Sequence, residues 1–368
     1  MLKKKNFIYI AVILSGLLTV FSCGQDPIFY KISQETPQEE AFIKGAPTNM
    51  VECKRGGTDT VMYVASGEKL HWYRNGTWDS GAYYTPNPGG MIISLAATST
   101  YLYAVCNTGM KDTKLRRIEL AVIPSYWEDV QISLGSYPYI QRIYADGSAW
   151  LFAAARNDTD FGILFFNGSD WKLIESNTQM LSGAAFDGTD YYLSTQGTGV
   201  YQFSGSNITE HFGNGNFTGM ITIGSKIIVV EEDGGTLYEV TSSGLNSLRV
   251  STGKYATGAL ALWTKGTDKM LTAGIQGAKT NTVTSHGYVE FYLDSTGLPY
   301  GSPNNPPTIT TGGNPDRYQG SLGKHPINHM HQASVDVDSS RRFFASTQSA
   351  GLWSYKYRSG GDQWNAEN

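Results

Sequence analysis

The stretch at 182–212 constrains the fold more than any other part of the chain, because it alternates short β-runs with tight turns. In its third run Tyr201 and Phe203 point to one face and Gln202 to the other, since side chains of a strand alternate. The Asp-Gly pair at 187–188 supplies the positive backbone angle that a tight hairpin requires. The stretch therefore predicts a four-stranded antiparallel meander.

Imperfect copies of this meander recur along most of the chain. Seven β-runs align with its second strand, centred on Tyr63, Tyr103, Phe152, Leu193, Val229, Leu271 and Phe344. The successive spacings are 40, 49, 41, 36, 42 and 73 residues. A period near 40 residues with four strands per repeat is typical of a propeller blade. We therefore predict an all-β fold, a seven-bladed β-propeller of four-stranded antiparallel blades over 48–368.

The strands that flank these runs support the prediction. Small residues dominate predicted first strands such as 94–98 and 182–186, and small side chains suit the innermost strand. Predicted fourth strands open with tryptophan after a turn, at Trp78, Trp127, Trp171 and Trp364. The repeats resemble seven-bladed β-propellers in the broad sense, which implies a closed ring. Whether the end blades only pack together, or a strand from 48–53 pairs with the last blade, stays open.

The last spacing contains an insertion, at about 296–327, that is rich in proline, glycine and asparagine. A long connection of this kind carries function or is mobile. An eighth, degenerate blade is the alternative, but the insertion has no second-strand motif, so we predict seven blades and a loop. The insertion, together with the departures at 107–114 and 156–160, is where we expect a partner to touch.

The composition is typical of a β-protein and argues against nucleic acid as a partner. The chain has 42 glycines, 23 tyrosines and 8 tryptophans, which suit hairpin turns and pleated surfaces. Its formal net charge is −4, and the sequence has no basic stripe. Nucleic-acid binding therefore has no electrostatic basis.

The N-terminus predicts an export signal. Lys3, Lys4 and Lys5 precede an apolar run at 7–18, which is too short for a spanning helix. Ser22 then stands directly before Cys23. This arrangement resembles the bacterial lipobox, in the relaxed form of spirochaetal and treponemal lipoproteins.

The resemblance implies a lipoprotein signal peptide at 1–22 and acyl chains, such as palmitate, on Cys23. Two or more acyl chains give stable membrane anchoring. The polar segment 23–47 would then be a flexible tether. The alternative is a plain secretory signal that is cleaved nearby. The remaining cysteines, Cys53 and Cys106, are either two buried thiols or a disulfide, and the sequence alone does not set their distance.

No catalytic set stands out, so we expect no enzyme and no cofactor. His325, His329 and His331 are candidates for a zinc site, although ordinary loop and strand histidines explain the pattern without a metal. Acidic pairs suggest calcium but more often solvate hairpins: Asp158 with Asp160, and Asp336 with Asp338. Tyrosines in predicted connections are candidates for surface contacts, namely Tyr83, Tyr84, Tyr137, Tyr139 and Tyr300.

Together these features predict a monomeric lipoprotein in the cell envelope, anchored at the outer membrane or cell surface through Cys23. Its propeller is expected to be a non-enzymatic binding module for a protein or a glycan. One alternative is an envelope assembly scaffold, similar in architecture to the propeller lipoprotein of the outer-membrane barrel insertion machinery. Another is a hydrolase or lyase acting on glycans, which requires a cluster of titratable residues at the channel mouth.

Overall fold

The structure is a computed structural model of the whole chain. It describes residues 42–79, 85–109, 112–122, 125–132, 136–145, 147–148, 150–253, 255–265, 268–276, 287–300, 322, 325–334, 342–356 and 363–367. The predicted signal peptide, Cys23 and most of the tether lie outside these residues. So do Tyr83, Tyr84, Asp336, Asp338 and most of the insertion.

The described chain forms 28 β-strands in seven sheets of four. Blade one contains β1 (Val51–Arg55), β2 (Asp59–Ser66), β3 (Lys69–Arg74) and β4 (Thr77–Trp78). Blade two contains β5 (Met91–Ala97), β6 (Tyr101–Gly109), β7 (Asp112–Glu119) and β8 (Glu128–Asp129). Blade three contains β9 (Tyr139–Tyr144), β10 (Leu151–Arg156), β11 (Phe161–Phe166) and β12 (Trp171–Thr178).

The other four blades follow the same order. Blade four contains β13 (Leu181–Phe186), β14 (Tyr191–Thr195), β15 (Gly199–Ser204) and β16 (Asn207–Phe212). Blade five contains β17 (Phe217–Ile223), β18 (Lys226–Glu231), β19 (Thr236–Thr241) and β20 (Gly244–Ser251). Blade six contains β21 (Tyr255–Lys265), β22 (Asp268–Gln276), β23 (Gly287–Leu293) and β24 (Pro299–Tyr300). Blade seven contains β25 (Ile327–Gln332), β26 (Phe343–Thr347), β27 (Leu352–Lys356) and β28 (Gln363–Ala366).

The prediction of seven four-stranded antiparallel blades is confirmed. Every residue used to align the repeats lies in the second strand of its blade. These strands are sandwiched between neighbouring blades, so both of their faces are buried. In β10, for example, Leu151 through Ala155 are all buried, which is why the strand has a continuous apolar run.

The hydrophobic core lies between blades rather than within one sheet. Trp263 of β21 stacks on Phe343 of β26 with ring centroids 4.7 Å apart, which joins blades six and seven. Phe152 of β10 meets Phe203 of β15 edge to face at 5.3 Å, joining blades three and four. Aromatic pairs in these geometries add roughly 0.5–1.5 kcal/mol beyond the burial of their area.

The antiparallel order gives the ring two faces. Connections between first and second strands, and between third and fourth strands, emerge on one face, which we call the hairpin face. Connections between second and third strands, and from one blade to the next, emerge on the other, which we call the crossover face. The predicted insertion at about 296–327 overlaps β24 of blade six, and its remainder, 301–326, runs from the end of β24 to the start of β25, both of which lie at the crossover face.

The ring closes through the segment that precedes β1, not through a strand from 48–53. Those residues lead into β1, which pairs with β2 of its own blade. The closing contacts come from residues 42–45: the amides of Leu352 and Gly351 donate to the carbonyls of Ile43 (3.0 Å) and Gly45 (2.8 Å). Ile43 is fully buried between blades one and seven.

No helix within the described residues is long and apolar enough to cross a membrane.

Candidate binding surface

Two exposed large apolar side chains, Val122 and Tyr126, lie on the hairpin face of blade two. Tyr126, in the connection between β7 and β8, is 78% exposed, more than any other large apolar residue that the structure describes. Val122, in the same connection, is 46% exposed. We call the described residues of this connection, 120–122 and 125–127, the blade-two loop. Exposed aromatic residues that offer area with a polar edge are typical of protein-binding surfaces.

A buried arginine holds this loop in place. Arg55 ends β1 and is fully buried between blades one and two. Its guanidinium donates through Nη2 to Ser125 Oγ (2.7 Å) and through Nη1 to the carbonyl of Glu119. The amide of Gly56 donates to the carbonyl of Leu120 at 2.9 Å. Hydrogen bonds from a charged donor are about twice as strong as neutral ones, so both ends of the loop are firmly attached to blade one.

The far end of the loop is fixed by Trp127. Its indole Nε1 donates to the carbonyl of Pro86 at 2.6 Å, and its ring packs against the core between blades one and two. Beside it, the Arg117 guanidinium lies 4.4 Å from the Tyr101 ring centroid and 3.3 Å from Glu128 Oε2. Tyr126 is therefore an exposed ring on a rigid support, which lowers the entropy lost when a partner binds.

A second exposed aromatic pair lies on blade six. Tyr292 and Tyr300 stand opposite each other on β23 and β24 and are 39% and 51% exposed. Both flank the connection at 294–298 on the hairpin face. Asp294 closes that connection by accepting bonds from Thr296 and Leu298, and these bonds lower the pKa of its carboxyl. Tyr300 is thus exposed as predicted.

The other expected contact segments belong to the crossover face. The departures at 107–114 and 156–160 are connections between second and third strands. At 156–160, Asn157 Oδ1 accepts the amides of Thr159 (2.8 Å) and Asp160 (2.7 Å), so this polar cluster closes a hairpin. The prediction that Tyr137 is a surface residue was wrong. It is 5% exposed because it packs in the core between blades two and three.

Sequence reasoning missed the blade-two loop, although one signal was present. Of the four tryptophans predicted to open fourth strands, three follow a polar residue: Thr77, Asp170 and Gln363. Only Trp127 follows an aromatic one, Tyr126. Because Trp127 is turned inward, its neighbour in an extended segment is directed outward.

Two of the three histidines considered for zinc, His329 and His331, contact blade one at its junction with blade seven, whereas His325 lies before β25 and its amide donates to the carbonyl of Leu322. His329 and His331 lie on the same face of β25, and His329 Nδ1 accepts the Met50 amide at 3.2 Å. His331 Nε2 lies 3.4 Å from Glu52 Oε2, an ion-pair distance rather than a well-formed hydrogen bond. Among the described residues, no three His, Cys, Asp or Glu side chains are arranged to hold a metal.

Cys53 and Cys106 are separate thiols. Burial raises the pKa of Cys53 to about 12 and that of Cys106 to about 11. Both therefore stay protonated near neutral pH, and a protonated thiol is a poor nucleophile.

Comparisons with known proteins show similarity to this chain in fold alone. No family model and no curated protein matches this chain. Among solved structures, YCF48 bound to D1 peptide has a TM-score of 0.51 and 11% identity, covering 89% of this chain and 96% of that one. YCF48 from Cyanidioschyzon merolae has a TM-score of 0.52 and 12% identity, covering 86% and 97%.

A third neighbour is the extracellular domain of a putative one-component system from B. thetaiotaomicron. Its TM-score is 0.54 at 14% identity, and the match covers 88% of this chain and 40% of that one. At such identities the likeness shows a common propeller architecture, because one propeller fold supports many unrelated functions.

Proposed function

We propose that this chain is a non-enzymatic binding module that recognises a protein segment through the hairpin face of blade two. The observation that carries the proposal is Tyr126, an exposed ring on a loop fixed by Arg55 and Trp127. A solved propeller of the same architecture is described as bound to a peptide, which supports a protein ligand. A glycan ligand, the alternative, uses the same exposed aromatic chemistry.

The module is further proposed to be a lipoprotein of the cell envelope, anchored through acyl chains on Cys23. The lipobox-like sequence at 20–23 supports the anchor, and an extracellular domain among the structural neighbours is compatible with the location. The tether then holds the propeller near a membrane surface, where a protein partner is concentrated.

The mechanism of binding is rigid presentation. The blade-two loop is attached to blade one at both ends, so it offers Tyr126 without an ordering step. Partners of rigid aromatic anchors gain affinity because little conformational entropy is lost on docking. Such anchors commonly contribute most of the binding energy of an interface.

The test compares capture of partners from detergent-solubilised envelope by full-length protein and by Tyr126→Ala. We expect Tyr126→Ala to weaken capture of a protein partner by about 30-fold, equivalent to about 2 kcal/mol for a central aromatic contact. Tyr300→Ala, which removes an exposed tyrosine from blade six, is the matched control and should retain capture.

Two outcomes separate the alternatives. Equal capture by wild type and Tyr126→Ala would place the binding surface elsewhere and contradict the proposal. Binding to a glycan array that depends on Tyr126, without any captured protein, would replace the protein ligand by a glycan.

A further inference from the structure

The junction between blades seven and one differs from the others in how it is held. The polypeptide itself connects each of the other six neighbouring pairs of blades, whereas blade seven and blade one meet only through noncovalent contacts. Residues 42–52 supply the backbone hydrogen bonds of this junction from the blade-one side, and we call them the clasp. Tyr73 and Trp78 of blade one add aromatic contacts to Phe344 of β26.

Ionisable side chains hold the clasp. His329 of β25 accepts the amide of Met50, and His331 of β25 lies 3.4 Å from Glu52. Glu52 Oε1 also accepts the amide of Ser334 at 2.8 Å. Further out, Glu367 of blade seven accepts the indole N–H of Trp78 and lies 3.6 Å from Arg342.

Three other junctions have hydrogen bonds between neutral groups of neighbouring blades. The Asn49 amide pairs with the backbone of Leu95 between blades one and two, through bonds of 2.6 and 3.0 Å. Ser94 Oγ accepts the Ile143 amide at 3.2 Å between blades two and three. Gln332 pairs with the backbone of Thr264 between blades six and seven. A change of pH between 5 and 8 alters none of these bonds.

The Met50 bond, in contrast, exists in only one protonation state of His329. A ring nitrogen that accepts a hydrogen bond carries no proton, so neutral His329 has its proton on Nε2. A second proton must go to Nδ1, where the new N–H would point at the N–H of Met50. Two donors cannot form a hydrogen bond with each other. The bond and the imidazolium are therefore mutually exclusive.

We propose that the clasp is an acid-released latch: protonation of His329 at Nδ1 breaks its bond to Met50 and frees residues 42–52 from blade seven. The proton comes from solvent, since His329 is half-buried rather than fully enclosed. The lone pair of Nδ1 forms the new N–H bond, and no other covalent bond forms or breaks. Release would also undo the backbone pairing of Ile43 and Gly45 with blade seven, because both residues belong to the same short segment.

The difference in the pKa of His329 between the closed and released states determines how pH changes the stability of the clasp. Burial, and then the nearby His331, lower the pKa of His329 to about 3 in the closed ring. A released His329 returns to an ordinary pKa of about 6.5. The closed state thus binds fewer protons than the released state. The stability of the closed clasp relative to the released one is therefore fully present above about pH 6.5 and declines as the pH falls below that value.

Glu52 opposes release over part of this range. Burial alone would raise its pKa, but the neighbouring His331 and the bonds from Ser334 lower it overall. Glu52 therefore stays ionised in mild acid and keeps accepting the Ser334 amide. From β26, Ser346 Oγ reaches the carbonyl of His329 at 3.5 Å, and this neutral hydroxyl does not titrate in the range. His329 is accordingly the group whose protonation favours release.

The test is hydrogen exchange on the full-length protein in detergent between pH 7.5 and 5, corrected for intrinsic exchange rates. We expect the opening constant at the Met50 amide to rise by up to about tenfold for each pH unit below 6.5. The amides of Ile143 and Thr264, at neutral junctions that do not involve the clasp, serve as internal references and should show no such rise. A parallel pH dependence at all three amides would overturn the latch.

His329→Asn keeps a side-chain acceptor for Met50 but cannot be protonated in this range. We expect its Met50 amide to stay protected at pH 5, whereas His211→Asn, at an exposed histidine of blade four, should behave as wild type. Unchanged acid opening in folded His329→Asn would contradict the proposal.

A measurement on the wild-type protein decides the matter if that variant does not fold. Imidazole nitrogen shifts should show Nδ1 of His329 unprotonated at pH 7.5, with protonation appearing together with Met50 opening. An Nδ1 proton at neutral pH, or titration near pH 6.5 without any change at Met50, would rule the latch out.

Discussion

Arg55 shows how much a single side chain contributes to the candidate surface. Replacing it by methionine keeps the volume but removes the donors to Glu119 and Ser125. We expect Arg55→Met to lower the free energy of unfolding by about 2–3 kcal/mol, since a charged donor is lost from a buried site. Chemical denaturation measures this loss.

The control is Arg74→Met, which breaks a half-exposed ion pair with Asp59 at 2.6 Å. Such pairs contribute about 0–1 kcal/mol, so this variant should be nearly neutral. Equal losses for the two arginines would show that Arg55 does not secure the loop.

The sequence did not predict the role of Arg55 or His329, and the reason is physical. Arg55 bonds to residues 64 and 70 positions away, and Met50 lies 279 positions before its partner His329. Local patterns carry information about neighbours along the chain, whereas these contacts depend on how the ring closes. The sequence did locate His329 and His331 on one strand face, but their partners became visible only with blade one in place.

At the scale of single strands, the sequence carried most of the information. The Asp187 turn forms as predicted, with its carboxylate accepting the amides of Thr189 (2.7 Å) and Asp190 (2.9 Å). Second strands were identified because burial on both sides makes them continuously apolar. Short outer strands such as β8 and β24 were less evident, because two residues give no periodicity.

The first strands of blades five and six approach so closely that a side chain has no room. A Cβ on Gly258, whose φ is +84°, would lie 1.9 Å from the carbonyl oxygen of Thr218. We expect Gly258→Ala to destabilise the protein by more than about 3 kcal/mol, through this clash and the left-handed backbone. Thermal unfolding would detect it.

Gly188→Ala is the matched control for that variant. Gly188 also has a positive φ, +107°, but a Cβ there would meet nothing within 4 Å. The only expected loss of stability is the cost of placing alanine in a left-handed backbone conformation, about 1–2 kcal/mol. Similar losses at both glycines would mean that blades five and six separate to accommodate a methyl group.

At the scale of the whole molecule, the repeat spacing predicted a closed ring. It did not predict which groups hold the ring closed. Seven repeats specify seven blades, but they do not say which segment joins the last blade to the first. The answer lies in residues 42–45, which precede the first repeat and match none of its strands. Ile43, which precedes the predicted boundary at 48, is fully buried.

The anchor is the last feature to test, because it determines where the propeller works. Phe42, the first residue that the structure describes, lies nineteen positions after Cys23. Fully extended, this segment spans at most about 65 Å, enough to let the propeller stand off a membrane while remaining tied to it. We expect Cys23→Ala to move the protein from the detergent phase to the aqueous phase in a phase-partition experiment, since each buried methylene of an acyl chain contributes about 0.8 kcal/mol. Cys53→Ala, which alters a thiol of β1, should leave partitioning unchanged. Retention of Cys23→Ala in the detergent phase would refute lipidation at Cys23 without affecting the proposed binding surface, because Tyr126 lies within the propeller.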